Sequence, residues 1–415
     1  MNKMIYIMIL LLPLALRAGN QPRHHLELDL STQEYDALLK QFLSAKGNGL
    51  ETMEPESQMA ISGGQKFSQW LVKINQARRS DDQIRLTSAN TRRGIPIDSP
   101  SIYGPKQIKE RLEELLQTLP SAMKEVAYGN SAISSTLPLE KELFIEWGRK
   151  IDKLYQTAVR WTTSVKPWLS YYKQRKKDDV RGYYYLSKYP NLDQILNDYN
   201  NLSDQEKTKL EEYLIGICQN SGTEVQNCQG RFDNAVAKNS LLSFKNSFWS
   251  TSKETWDSFF KIDNPRRDID WTSAHADTLE VPFKDPNNSR IANFLKENIE
   301  DEFKWKNWGL QLNMVSGGFG TAHLEFSPNV TPHVTGGNTI VMDANTPIEE
   351  YEVQWTIRHE YGHILRFPDC YVEFYDEAIE SVVNYQLDVN DLMCSRAGNM
   401  NQRIYDELKL VYFKK

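Results

Sequence analysis

The chain has 415 residues and a formal net charge of −6. That length carries two or three domains and a sizeable core. The mild acidity argues against a general nucleic-acid binder, which needs a basic field.

In chain order, Lys3, an apolar run from Met4 to Leu16 and the small residues Ala18-Gly19 have the layout of a secretory signal over residues 1–18. The run is shorter than the ~20 apolar residues of a spanning helix, and no later segment is apolar enough to span a membrane. The expectation is an exported protein, periplasmic or extracellular, with no stable membrane anchor. Four cysteines suit that setting and fall as two neighbouring pairs, Cys218 with Cys228 and Cys370 with Cys394. Local pairing is the simplest of the three connectivities; four buried thiols are the alternative.

Residues 19–104 are polar and partly irregular. Candidate helices lie over 33–43, capped by Ser31 or Thr32, and over Phe67–Ala77. Arg92-Arg93-Gly94 has the dibasic pattern of a processing site. Residues 105–264 read as a helical accessory or pro-domain. Ile108, Leu112, Leu115, Leu116 and Leu119 keep the 3.6 period, as do Phe144, Trp147, Ile151, Leu154, Tyr155 and Trp161. Ser203 with Glu206 forms a capping box for a helix reaching Cys218. Tyr183-Tyr184-Tyr185 reads as helical core, and the run Lys173 to Asp179 as a solvated face.

At Asn264-Pro265-Arg266-Arg267 the texture changes. Thr278–Phe283 reads as a strand, and Ile291, Phe294, Leu295, Ile299 and Phe303 as one face of a helix. Leu310, Leu312 and Met314 alternate as in a strand, Gly317-Gly318-Phe319-Gly320 is a turn or loop, and His323–Phe326 and Thr339–Asp343 are two further strands. The fold class is α+β: a helical N-terminal region, then a catalytic domain over 265–415 with a small twisted sheet backed by helices.

The chemistry gathers at His359-Glu360-Tyr361-Gly362-His363, an H-E-x-x-H pattern. Residues four apart share a helix face, so His359 and His363 can aim both imidazoles at one Zn²⁺. Glu360 is placed to act as general base on an attacking water. The bland alternative is a surface helix with a charged face. Context favours the metal: Thr346-Pro347-Ile348-Glu349 reads as a capping box with proline at N1, and Val353, Ile357 and Ile364 continue an apolar face.

With the continuation to Asp369, and with Met393 in Asp391-Leu392-Met393-Cys394, the stretch resembles the metzincin clan of zinc endopeptidases, H-E-x-x-H-x-x-G-x-x-H/D followed by a methionine turn. The resemblance covers roughly the last third of the chain. It implies Asp369 as the third ligand, Met393 beneath the metal, and a mixed sheet with a zinc helix. Two positions depart from the pattern. Arg366 stands where the clan has glycine, and Ser395 where some members carry a tyrosine. Glu377 or Glu380 on a following helix, and less so Glu373, are competing third ligands of the gluzincin type. His323 and His333 lie in the strand region and are left out of the site. A Cys370–Cys394 bridge would tie the segment past Asp369 to the one holding Met393.

The function expected is a secreted zinc-dependent endopeptidase acting on protein or peptide substrates. His359, His363 and Asp369 hold Zn²⁺, Glu360 is the base, and the strand Thr339–Asp343 pairs with an extended substrate. The reading from another class is a non-catalytic exported helical binding protein, whose metal site is structural and closed by four ligands.

Overall fold

The computed structural model describes residues 39–40, 43–44, 53–79, 82–86, 94–269, 271, 277–318, 320–328, 330–344 and 346–413. Residues 1–18, the Arg92-Arg93 pair and most of the candidate helix over 33–43 lie outside them.

The first half is helical for the reasons its periodicity suggests. Helix α1 (Pro55–Gln76) is longer than the candidate helix at Phe67, because Ala60, Ile61, Phe67, Trp70 and Ile74 form one buried stripe. It packs on α2 (Pro105–Thr118) and α3 (Lys141–Arg160). Trp70 meets Phe144 edge-on, with ring centroids 5.3 Å apart. A second cluster contains α4 (Arg181–Ser187), α5 (Asp204–Gln219), α6 (Val225–Ala237) and α7 (Leu241–Ser258). The Ser203–Glu206 capping box is formed at the start of α5. The Cys218–Cys228 disulfide joins α5 to α6.

The second half is mixed. Strands β2 (Thr278–Lys284) and β4 (Trp308–Val315) run parallel around α8 (Ser289–Leu295), and the short β3 (Lys304–Trp305) borders β4. Beyond them, β5 (His323–Ser327), β6 (His333–Thr335) and β7 (Thr339–Asp343) form a three-stranded sheet in the order β5-β7-β6. A bridge from Phe283 to Ala322 connects the two sheets. The order corrects one expectation. Strand β7 is the inner strand, hydrogen-bonded to β5 on one side and β6 on the other, so it has no edge to offer a substrate. The outer edge belongs to β6, which is antiparallel to β7.

Helix α9 (Tyr351–Ile364) packs against β6 and β7. It begins later than expected, and the capping box is not formed. Thr346–Glu350 is a turn in which the Glu350 amide donates to the Pro347 carbonyl. Glu349, the acid of the expected box, pairs with Arg290 instead, and Glu350, the residue at the N-cap, pairs with Arg85 and makes no side-chain cap. Next come the hairpin β8 (Tyr371–Asp376) and β9 (Ser381–Gln386), and α10 (Gln402–Tyr412).

The two halves share a sheet. Strand β1 (Ser101–Tyr103) pairs antiparallel with β9, giving the order β1-β9-β8. Ile95 donates to the Gln386 side chain. From the end of α3, Arg160 reaches Glu373 on β8, and both side chains are fully buried. Tyr103 donates to the same carboxylate at 2.6 Å.

A second buried junction centres on Asp179. Arg181 holds it through two hydrogen bonds of 2.8 and 2.7 Å, Lys176 lies 3.1 Å away, and Tyr385 of β9 donates to it at 2.9 Å. Burial alone would raise this carboxyl; Lys176 and Arg181 more than reverse that and hold it well below the usual carboxylate range. A depressed folded-state pKa gives stability that is complete above the unfolded value of about 4 and is lost as pH falls below it. Asp179→Asn is therefore expected to flatten the loss of stability between about pH 5 and pH 3, as read from urea melts at each pH. An unchanged slope would remove Asp179 from the acid response.

Candidate metal centre

Helix α9 buries Val353, Ile357, Tyr361 and Ile364 in the core, which turns His359, Glu360 and His363 to the other side. The imidazoles stand at 89° to one another with centroids 4.9 Å apart. Each Nδ1 faces a backbone carbonyl, His359 that of Leu392 at 2.8 Å and His363 that of Phe367 at 2.9 Å. A carbonyl can only accept, so both Nδ1 atoms carry protons, and in the neutral rings both Nε2 atoms present lone pairs.

Those lone pairs meet Asp369. Its Oδ1 is 3.2 Å from His359 Nε2 and 3.2 Å from His363 Nε2, and its Oδ2 accepts from Tyr371 Oη at 3.0 Å. The separations are within ion-pair reach, but neither ring N–H direction suits a hydrogen bond, and Oδ1 is buried without a donor. Ligands about 2.1 Å from a tetrahedral ion stand about 3.4 Å apart, close to what is seen. Two imidazole nitrogens and a carboxylate oxygen are a donor set that Zn²⁺ accepts. Among the described residues no fourth His, Cys, Asp or Glu joins these three.

Electrostatics in the metal-free protein agree with the crowding. Burial alone would lower His363, but Asp369 more than reverses it and the imidazole is pushed up to about 9. Burial likewise opposes ionisation of Asp369, and His363 with His359 holds the carboxyl well below its ordinary value.

The chain reaches Asp369 through Arg366, whose φ is 73°. The Arg366 amide donates to the His363 carbonyl and the Phe367 amide to the Gly362 carbonyl, the two bonds of a Schellman ending. Arginine thus occupies the left-handed position that glycine takes at no steric cost, a strain of about 1–2 kcal/mol.

Beneath the histidines lies Met393, 3% exposed. Gly362 makes room for it: a Cβ there would stand 2.1 Å from Met393 Sδ. Asp391 shapes this turn, accepting from the Met393 amide at 2.8 Å and from Arg403 at 2.7 Å. The Cys370–Cys394 disulfide clamps the segment after Asp369 to the one after Met393. Gly362→Ala is expected to displace Met393 and cost about 1–3 kcal/mol by overpacking, despite alanine's better helix propensity. A variant as stable as the parent would contradict the close approach.

The competing acids are elsewhere. Residues 377–380 form the β8–β9 turn and not a helix. Glu377 is exposed and pairs with Lys173, Glu380 is exposed in the same turn, and Glu373 is committed to Arg160. Ser395 receives a hydrogen bond from the Ala397 amide. His323 contacts Glu325 and Thr339, and His333 contacts the Thr331 carbonyl. Three contributors were missed from sequence: Tyr371, Gly362 and Arg396. Arg396 Nη2 is 3.8 Å from Glu360 Oε1, with both side chains almost fully buried. Tyr371, two residues past Asp369, was the one with a local signal.

Compared with protein-family models, curated proteins and solved structures, the chain has no match.

Proposed function

We propose that the chain is an exported zinc-dependent endopeptidase with a metzincin-like catalytic unit. The observation that carries this is the convergence of His359 Nε2, His363 Nε2 and Asp369 Oδ1 on one point, with Glu360 next to the first of them. Three protein ligands suit a catalytic site, which keeps a position open; a structural site takes four. Bound there, zinc would lower the pKa of a water and polarise the scissile carbonyl. Glu360 takes the proton from the attacking water and delivers it to the leaving amine. Arg396 and the walls of the site hold that carboxylate in place. The edge of β6 away from β7, which pairs with no strand among the described residues, offers backbone donors and acceptors to an extended peptide. The two disulfides fit an oxidising compartment, and among the described residues no helix is long and apolar enough to cross a membrane.

The test is metal analysis of purified full-length protein with a peptidase assay before and after chelation. One zinc per chain and hydrolysis lost on chelation are expected. Stoichiometric metal without any peptidase activity would favour the structural-site reading. Because His363 holds a proton in the metal-free protein, zinc affinity should also rise with pH up to about 9, as read by chelator competition.

A further inference from the structure

A cavity of about 900 Å³ lies between the Asn264–Ile269 segment and the turn that follows α9, with no histidine among its described lining residues. Arg266, Arg267, Arg366, Gly320, Asn338 and Tyr412 line much of it. Its charge is unbalanced. The one carboxylate among the described lining residues, Asp268, is taken by Arg266 through two hydrogen bonds of 3.0 and 2.6 Å. Arg266 Nη1 also donates to Asn338 Oδ1 at 3.1 Å, so this pair forms a satisfied floor. Arg267 and Arg366 make no ion pair among the described residues.

Arg366 is the more informative of the two. Its Nε is buried and has no hydrogen-bond acceptor. Its guanidinium lies directly over Gly337, where a Cβ would stand 1.7 Å from Nη1. Both residues have left-handed backbones, φ 73° at Arg366 and 70° at Gly337. The fold thus accepts an unfavourable conformation at one residue and an absent side chain at the other, and between them sets a guanidinium into the cavity wall. A buried donor without an acceptor is unfavourable, so the fold holds this guanidinium at a cost. The planar guanidinium fork matches tetrahedral oxyanions in shape and charge.

We propose that this cavity is a binding site for a dianionic tetrahedral oxyanion, a phosphate or sulfate group, held by Arg366 and Arg267. Its volume is in the range of small-molecule sites and leaves room for an organic body attached to the anion. Tyr412 Oη donates to the Leu365 carbonyl at 2.9 Å and receives the Arg266 amide at 3.1 Å, so the cavity wall and the end of α9 form one hydrogen-bonded unit.

Isothermal titration calorimetry on the full-length chain, chelated and at constant ionic strength, tests the proposal without reference to peptidase activity. The probes are inorganic phosphate, inorganic sulfate and glucose 6-phosphate. Saturable binding of at least one is expected at micromolar to low millimolar concentration. Arg366→Gly, which glycine's backbone freedom accommodates, and Arg267→Ala, at an exposed position, should each weaken it at least about tenfold. Tighter binding of the sugar phosphate would identify an ester as the ligand, and equal binding a free anion. No saturable heat with any probe, or binding unchanged in Arg366→Gly, would overturn the assignment. Circular dichroism melts of both variants separate lost binding from lost folding.

Discussion

Glu360→Gln is expected to lower peptide hydrolysis by about 10²–10⁴-fold while zinc content stays at the parental level. The amide has the carboxylate's shape, so α9 and the two imidazoles should not move. It cannot take a proton from water, and the loss should fall on kcat more than on KM. Glu360 is only 4% exposed, so bulk water offers no ready substitute. Turnover and metal content should be measured on the same preparation. Activity within about threefold of the parent would sink the general-base role. Loss of the metal would instead make Glu360 part of the site's framework.

The second large effect is structural and lies outside the metal centre. Arg160→Met should destabilise the protein by about 3–5 kcal/mol, because Glu373 is then left as an uncompensated buried charge. Adding Glu373→Gln to that variant removes the charge and should restore part of the loss; the double-mutant cycle isolates the pair. Urea titration followed by tryptophan fluorescence is a suitable readout. A single variant within about 1 kcal/mol of the parent would show that water reaches Glu373. The same reasoning applies to a fragment of residues 265–415. It lacks β1 and Arg160, so β9 loses a neighbour and Glu373 its counter-ion, and it is expected to be insoluble or unfolded. A soluble, folded fragment would contradict this. In the proposed enzyme the helical region is thus a structural partner of the site.

What could be read from sequence was local. His359 and His363 are one turn apart with Glu360 next to the first, and their geometry follows from helix spacing alone. Asp369 and Met393 were legible through a motif, and the disulfides through nearest-neighbour pairing. Chain shape sets Asp369, and none of the three glutamates, beside the two histidines: the segment after Tyr371 is a hairpin, although Asp376–Ser381 suggested a helix. Arg366 was visible as an oddity, but its left-handed backbone was not. The start of α9 was misplaced because Thr346–Glu350 closes as a turn, with Glu350 as the N-cap and Glu349 paired with Arg290, which is distant in sequence. The pairing of β1 with β9, the Arg160–Glu373 contact and the approach of Arg396 to Glu360 depend on tertiary structure that no spacing rule encodes.

The sharing of one sheet by Ser101–Tyr103 and Ser381–Gln386 has a consequence for biogenesis. Nearly three hundred residues separate partners such as Ile102 and Val383. The hairpin directly after Asp369 cannot acquire its third strand until the long stretch of chain between the two has been made. Closing so long a loop is entropically slow, and contacts of this kind form late. During synthesis the earlier helices can fold as they emerge. The hairpin's final shape, and with it the position of Asp369, awaits the closing of that loop.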